Sequence, residues 1–382
     1  MPYPKAPINL HDHTSLIYAE GVFGKDSREK FPMRAKTADG ILRYATYPIH
    51  GIVDSKAKEN LAQDVLGVYL TNSMHARVPL FSSLKEAREK TGADVLILGA
   101  APEGGELPPE WEQDLLWALE QGMHVVSGMH YSLKENSKFY AAAKTSGAVI
   151  WDTRTDISIA EIPVGSAKAY HIKKPVILTV GTDAALGKMP AEYELHKEAQ
   201  RRGIHSLLVP TGQTCMMIEG WGIAVDALPA DFMAGAVEKM LVENTKYGEA
   251  SAPSEVEGFF VEGQGSLYHP GFSNTTISLI HGAVPTHMVL VHRPSRKHSI
   301  GSKLVKLPEI PEAIELYERV ILPPYQNAKI VGVALNTAGM TDEEIQTEIE
   351  KISKQTNLPV GDVVRHPQFV SQVVDAIFGT AP

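Results

Sequence analysis

A single cysteine, Cys215, stands in 382 residues. One thiol cannot close a disulfide within the chain, nor build a cysteine-rich metal site. That usage fits a reducing compartment. A basic excess is missing too: 36 Lys and Arg face 45 Asp and Glu, a formal net charge of −9. Nucleic-acid binders carry the opposite balance, so no nucleic-acid partner is expected. No stretch approaches about 18 consecutive apolar residues, so neither a transmembrane helix nor a membrane partner is expected. Residues 1–10 lack an apolar run of signal-peptide length. Internal repeats and low-complexity tracts are absent. The expectation is a cytoplasmic, soluble enzyme acting on a small molecule, and a homo-oligomer on general grounds. An acidic chain that binds an anion must hold it with local devices, since its overall field repels it.

What is present is ordinary globular composition, 43% hydrophobic and 21% charged. At one domain per about 150 residues the length suggests two or three domains. Residues 1–40 read as polar and irregular. From Ile41 onward short apolar runs alternate with helical spacings. Strands are expected at 49–53, 94–99, 124–127 and 148–151, with helices at 83–90, 110–121 and 137–145. The rhythm breaks over 152–173, which places a boundary near 160. It restarts with strands at 176–180, 206–209, 258–261, 287–291 and 330–335. Helices are expected at 191–202, 311–320, 342–356 and 369–378. Alternation of this kind predicts an α/β protein with parallel sheets. Two domains follow, 1–160 and 161–382.

The strongest local pattern is residues 175–190, PVILTVGTDAALGKMP. An apolar strand runs into Gly181-Thr182-Asp183-Ala184-Ala185-Leu186-Gly187-Lys188, and a helix follows. The usual phosphate loop is G-x-x-x-x-G-K-[ST]. Here five residues separate the glycines, and Met189 takes the Ser/Thr position. Glycines let backbone N–H groups turn toward an anion, the helix offers its positive end, and Lys188 adds a point charge. The missing hydroxyl normally helps to hold Mg²⁺. Pro190 falls in the first helical turn, where its missing N–H costs little. Downstream, Gly258–Ser266 (GFFVEGQGS) is a strand ending in Glu262 and a glycine-rich turn. Ligands of open α/β sheets bind at the carboxyl ends of strands, so Glu262 is placed to face the loop, through Mg²⁺ or as a base. Thr211, Gln213 and Thr214 follow the strand at 206–209 and are expected on the same rim.

Together these pieces resemble dethiobiotin synthetase and its relatives, and more closely a two-domain family first catalogued as uncharacterised. That family has a Rossmann-like N-terminal domain and a P-loop C-terminal domain with a doubly wound parallel sheet. Its members carry GTD-x-x-x-GKMT, TGQT, VDA-x-x-x-DF-x-x-GA-x-E, VEGQGSL-x-HP and VGVALNT. This chain matches at Thr211–Thr214, Val225–Ala227, Asp231-Phe232, Gly235-Ala236, Glu238, Val261–Pro270 and Val331–Thr337. In the N-terminal half it matches at Gly99–Gly105 and Ser127–His130. The likeness covers roughly residues 40–380. It departs at Pro190, where the family has Thr, and at Cys215, where a small residue such as Gly is common. The resemblance implies a D-glutamate N-acetyltransferase using acetyl-CoA.

The residues alone leave the chemistry open. CoA and ATP are both polyanionic nucleotides, and the loop does not separate them. Acyl transfer to an amine needs a base, for which Glu262, His269 and His130 are candidates; His130 would reach across a cleft between domains. Gly181, Thr182, Asp183, Gly187, Lys188, Met189 and Asn336 are candidates for the nucleotide, and Lys188 is a catalytic candidate as well. Thr211, Gln213, Thr214, Ser266 and Arg293 are candidates for substrate, Arg293 as a two-pronged carboxylate clamp. Under the alternative, an ATP- and Mg²⁺-dependent ligase of the dethiobiotin-synthetase type, Glu262 would hold the metal. A nucleotide sensor without turnover is a third class. The spacing of His281, His287 and His292 does not favour a metal site. Cys215 reads as a small buried hydrophobe. No G-x-G-x-x-G follows the first N-terminal strand. The glycines of 99–105 come after a later one, as a dinucleotide turn or one wall of a cleft.

Overall fold

The computed structural model describes residues 2–30, 34–71, 73–100, 102, 105–249, 252–322 and 328–379. The chain divides into two compact units.

One unit comprises Pro4–Ser158 and Gln213–Ala227. Its strands are β1 (Ser15–Tyr18), β2 (Ile49–Val53), β3 (Leu80–Phe81), β4 (Val95–Leu98), β5 (His124–Ser127) and β6 (Ile150–Asp152). They are parallel and ordered β3-β2-β1-β4-β5-β6. The crossovers run outward from β1 and β4 in opposite directions. Right-handed connections then place helices on both faces. The expectation of an irregular segment over 1–40 is overturned. It contains β1, a central strand, and the helices Lys25–Lys30 and Lys36–Tyr44. β1 escaped notice because it is only four residues long and carries Ser15 and Tyr18. Burial is nonetheless complete along it. Tyr18 tolerates it by donating its hydroxyl to Asp114 Oδ2 at 2.9 Å.

The other unit comprises Met1–Tyr3, Ile159–Gly212 and Leu228–Pro382. Its strands are β7 (Val176–Gly181), β8 (Ser206–Val209), β9 (Lys246–Glu249), β10 (Ala252–Glu255), β11 (Gly258–Val261), β12 (His287–His292), β13 (Lys329–Leu335) and β14 (Val360–Gly361). Six form a parallel sheet, β14-β13-β12-β7-β11-β8, while β9 and β10 pair antiparallel on their own. The connection from β7 leads two places one way, to β8. That from β12 leads the other way, to β13. A ligand crevice is expected above the carboxyl ends of β7 and β12, where the connections diverge. Helix Lys188–Arg201 turns Ala191, Leu195 and Ala199 into the core with Ile177, Phe260, Val289 and Val373. These positions recur every four residues, a single helical face. Leu186, from the loop itself, is fully buried in the same core, so packing anchors the loop in its middle.

A division at 160 assigns Gln213–Ala227 to the C-terminal half, yet these residues group with the first unit. Side-chain bonds explain this. Tyr47 donates its hydroxyl to the Met217 carbonyl at 3.0 Å, and Arg154 Nη2 donates to Gln213 Oε1 at 2.9 Å. Among the described residues, no helix is long and apolar enough to cross a membrane.

Candidate functional site

The loop between β7 and helix Lys188–Arg201 has a backbone that few sequences accept. Gly187 sits at φ +106° and caps the helix, with no side chain capping it. Ala185 also has positive φ, at +53°. Left-handed residues turn successive N–H groups to one side, forming a concave anion seat, and the helix start adds its positive end. Lys188 is buried and folds back, its Nζ donating to the Asp183 carbonyl at 3.0 Å.

The rest of the unit clamps this loop. The Gly181 carbonyl accepts from Ser266 Oγ at 2.8 Å and from the Tyr317 hydroxyl at 2.7 Å. Asn336 Nδ2 donates to the Leu186 carbonyl at 2.8 Å. Thr182 Oγ1 lies 2.9 Å from His292 Nδ1. Burial, with Lys297 adding to it, pushes the His292 imidazole down to about 4, so it is neutral at pH 7. Asp183, fully buried, accepts from Arg296 Nη1 at 2.9 Å, Ser299 Oγ at 2.9 Å and the Ile300 N–H at 2.7 Å. Arg296 also donates to the Ala184 carbonyl at 2.8 Å.

Glu262 directly follows β11. Its Oε2 accepts the N–H groups of Thr211 and Gly212 at 3.0 and 2.8 Å. Thr211 returns its hydroxyl to the Glu262 carbonyl at 2.7 Å, and Gln264 Nε2 donates to the Thr211 carbonyl at 2.6 Å. Gly263 is required by proximity: a Cβ there would lie 1.6 Å from the Thr179 carbonyl. That close approach joins β11 to β7. Behind it, Glu192 accepts from the Thr179 N–H at 3.2 Å, and its Oε1 has no hydrogen-bond partner. Burial raises its carboxyl well above the usual glutamate range; the Thr179 bonds oppose this and Glu262 adds to it.

The residues singled out in the sequence therefore divide. Gly181, Thr182, Asp183, Gly187, Lys188, Met189, Thr211, Glu262, Ser266, His269, Arg293 and Asn336 belong to the second unit. Gln213, Thr214 and His130 belong to the first. Gln213 accepts from Arg154, and Thr214 Oγ1 lies 3.1 Å from Thr37 Oγ1. His130 is exposed over much of its surface, but partial desolvation of the ring, with Arg154 adding to it and Asp226 opposing, lowers its imidazole. His269 has both ring nitrogens engaged. Nδ1 accepts the Gly271 N–H at 3.1 Å, which makes Nε2 the donor to the Ile300 carbonyl at 3.1 Å. Arg293 is half-buried, with Nε on Ser295 Oγ at 3.1 Å. Cys215 is buried. Of the 99–105 loop, Ala101, Glu103 and Gly104 lie outside the described residues. Among the described residues, no group of three or more His, Cys, Asp and Glu is arranged to hold a metal ion.

Sequence reading missed Arg296, Ser299, Tyr317 and Glu192. The basic run Arg293–His298 was a visible signal, but its tie to Asp183 spans more than a hundred positions.

Family models match both halves. Residues 163–373 match a domain of unknown function described as a P-loop domain, and residues 62–156 match its Rossmann-like N-terminal companion. The chain belongs to the DUF1611 family. A solved DUF1611 family protein from Anabaena variabilis is 35% identical, with a TM-score of 0.84, over 96% of this chain and all of the other. Two curated relatives match over most of the chain. A D-glutamate N-acetyltransferase of Tritonibacter scottomollicae is 32% identical over 77% of this chain and 84% of its own length. Another, of a Pseudoalteromonas species, is 30% identical over 72% and 79%. This agrees with the resemblance read from the motifs, and with an α/β architecture of two parallel six-stranded sheets.

Proposed function

We propose that this protein transfers the acetyl group of acetyl-CoA to the amine of an acidic amino acid of the D-glutamate class. The observation that carries the reading is the loop 181–188. Its left-handed turn, uncapped helix start and Lys188 suit a diphosphate. Met189 follows Lys188 and brings no hydroxyl for Mg²⁺. Thr182, the loop's own hydroxyl, is engaged with His292. These donors fit the diphosphate of CoA better than Mg-ATP, which disfavours the ligase alternative. The names of the two curated relatives supply the substrate class.

In the reaction the substrate ammonium loses a proton. Its nitrogen attacks the thioester carbonyl, the C–S bond breaks, and CoA leaves as the thiol. We assign Glu262 as the base, since Thr211 and Gly212 hold its carboxylate in one orientation at the strand end. His269 supports the neighbouring chain at Ile300 with both nitrogens engaged. Arg293 offers a planar fork to a substrate carboxylate. The test is thiol release from acetyl-CoA with D-glutamate, with the N-acetyl product identified by mass. Silence across a panel of D- and L-amino acids overturns the reading. ADP release with Mg-ATP in its place supports the ligase.

A further inference from the structure

Residues 293–307 follow β12 and carry Arg293, Arg296, Lys297, His298, Lys303 and Lys306 with no Asp or Glu. In a chain of net charge −9 this run is exceptional. It is also built. Ser299 N–H donates to the Val305 carbonyl at 2.9 Å and Leu307 N–H to the Lys297 carbonyl at 3.0 Å, closing the segment into a strap. One pin holds it to the phosphate loop and a second to the turn after β11. Arg296, Ser299 and the Ile300 N–H fix Asp183, and His269 fixes the Ile300 carbonyl.

Pinning sorts the cations. Arg296 is consumed in neutralising buried Asp183. Lys297, His298, Lys303 and Lys306 stay exposed, and Leu304 at the tip is 94% exposed. Glu348, which acts on His292 just before the strap, has Lys351 beside it at 3.2 Å. The strap is therefore a fixed cationic rim next to a diphosphate seat.

We propose that this strap binds the ribose 3′-phosphate of the acyl-CoA donor, an inference that rests on the acetyl-CoA reading above. CoA carries a diphosphate and, apart from it, a monophosphate on the ribose. A loop with one lysine and one helix start is matched to the first group. The second is a dianion that an acidic protein repels unless local cations meet it. Lys297, Lys303 and Lys306 supply them. The strap thereby selects CoA over nucleotides that lack the extra phosphate.

Calorimetric titration of the full chain with CoA and with 3′-dephospho-CoA tests this, for the parent and for Lys297→Ala/Lys303→Ala/Lys306→Ala. The parent should bind CoA at least about tenfold tighter than dephospho-CoA, the scale of one lost charge-assisted contact. The triple variant should lose most of that preference. Equal binding of both ligands by the parent, or an undiminished preference in the variant, overturns the strap while leaving acetyl-CoA as donor. Binding of neither ligand by the parent overturns the acetyl-CoA reading and the strap with it. Should the triple variant fail to fold by circular dichroism, Lys303→Glu alone carries the same comparison.

Discussion

Ser266 Oγ donates to the Gly181 carbonyl at 2.8 Å, across 85 positions of sequence. With Tyr317 on the same oxygen, this ties the glycine-rich turn after β11 to the first glycine of the phosphate loop. One carbonyl with two donors tolerates the loss of either better than the loss of both. Ser266→Ala and Tyr317→Phe should each cost about 1 kcal/mol. The double variant should cost more than their sum, because the carbonyl is then left without either donor. A double-mutant cycle by urea unfolding reads this; strict additivity would contradict it.

Asp183 and Arg296 form a second tie, with an N–O distance of 2.9 Å and the carboxylate fully buried. Removing one member of such a pair strands the other. Arg296→Met should destabilise the protein by roughly 3 kcal/mol. It should also weaken nucleotide binding, since Arg296 holds the Ala184 carbonyl as well. Thermal melts with and without CoA separate the two effects. A loss within 0.5 kcal/mol, the scatter of ordinary surface changes, counts against the tie.

At the anion seat, Lys188→Ala should weaken CoA binding about tenfold or more, as a charge-assisted contact to phosphate is lost. Gly187→Ala acts through the backbone. At φ +106° a Cβ is strained, by about 1–2 kcal/mol, so that variant should lose stability and affinity together. Calorimetry with CoA checks both. Unchanged affinity in both would remove the loop from the site.

Glu192 and two histidines set opposing pH dependences. Burial raises Glu192, so its folded form holds a proton that the unfolded chain releases. The associated stability is present at or below the ordinary glutamate range and is lost as pH rises above it. Glu192→Gln should flatten the alkaline side of the stability profile between pH 5 and 9. A parallel profile for parent and variant would contradict a protonated Glu192.

His196 and His292 work the other way. Burial lowers both to about 4. Their contribution is present above the ordinary histidine range and is lost as pH falls from about 6.5 toward 4. Ring-proton NMR titration should place both midpoints below 5. A midpoint near 6.5 for either would mean that its ring is solvated.

Much of the C-terminal unit was legible in the residues. The strands 206–209 and 258–261 and the helix 342–356 lie where their patterns place them. Each is a short apolar run or an amphipathic stretch with its own punctuation, Thr341 capping the last by accepting from the Glu344 N–H. Helix Lys188–Arg201 begins three residues before its expected start because Gly187, not the apolar spacing, sets its first turn. β1 was not legible, since four buried residues that include Ser and Tyr give no period. The hairpin β9–β10 was missed as well.

The glycine-lysine loop, the acid ending β11 and the family motifs were carried by the sequence alone, because backbone turns and strand ends depend on neighbouring residues. Only the tertiary structure decided which side chains hold that loop. Ser266, Arg296, Ser299, Tyr317 and Asn336 come from turns and helices far along the chain, and a hydrogen bond between distant positions leaves no local period. Tertiary structure also decided that His269 has both nitrogens engaged and that Gln213 and Thr214 pack in the first unit. Residue type proposes a chemistry, but the partners that burial brings within 3 Å determine which atoms remain to perform it.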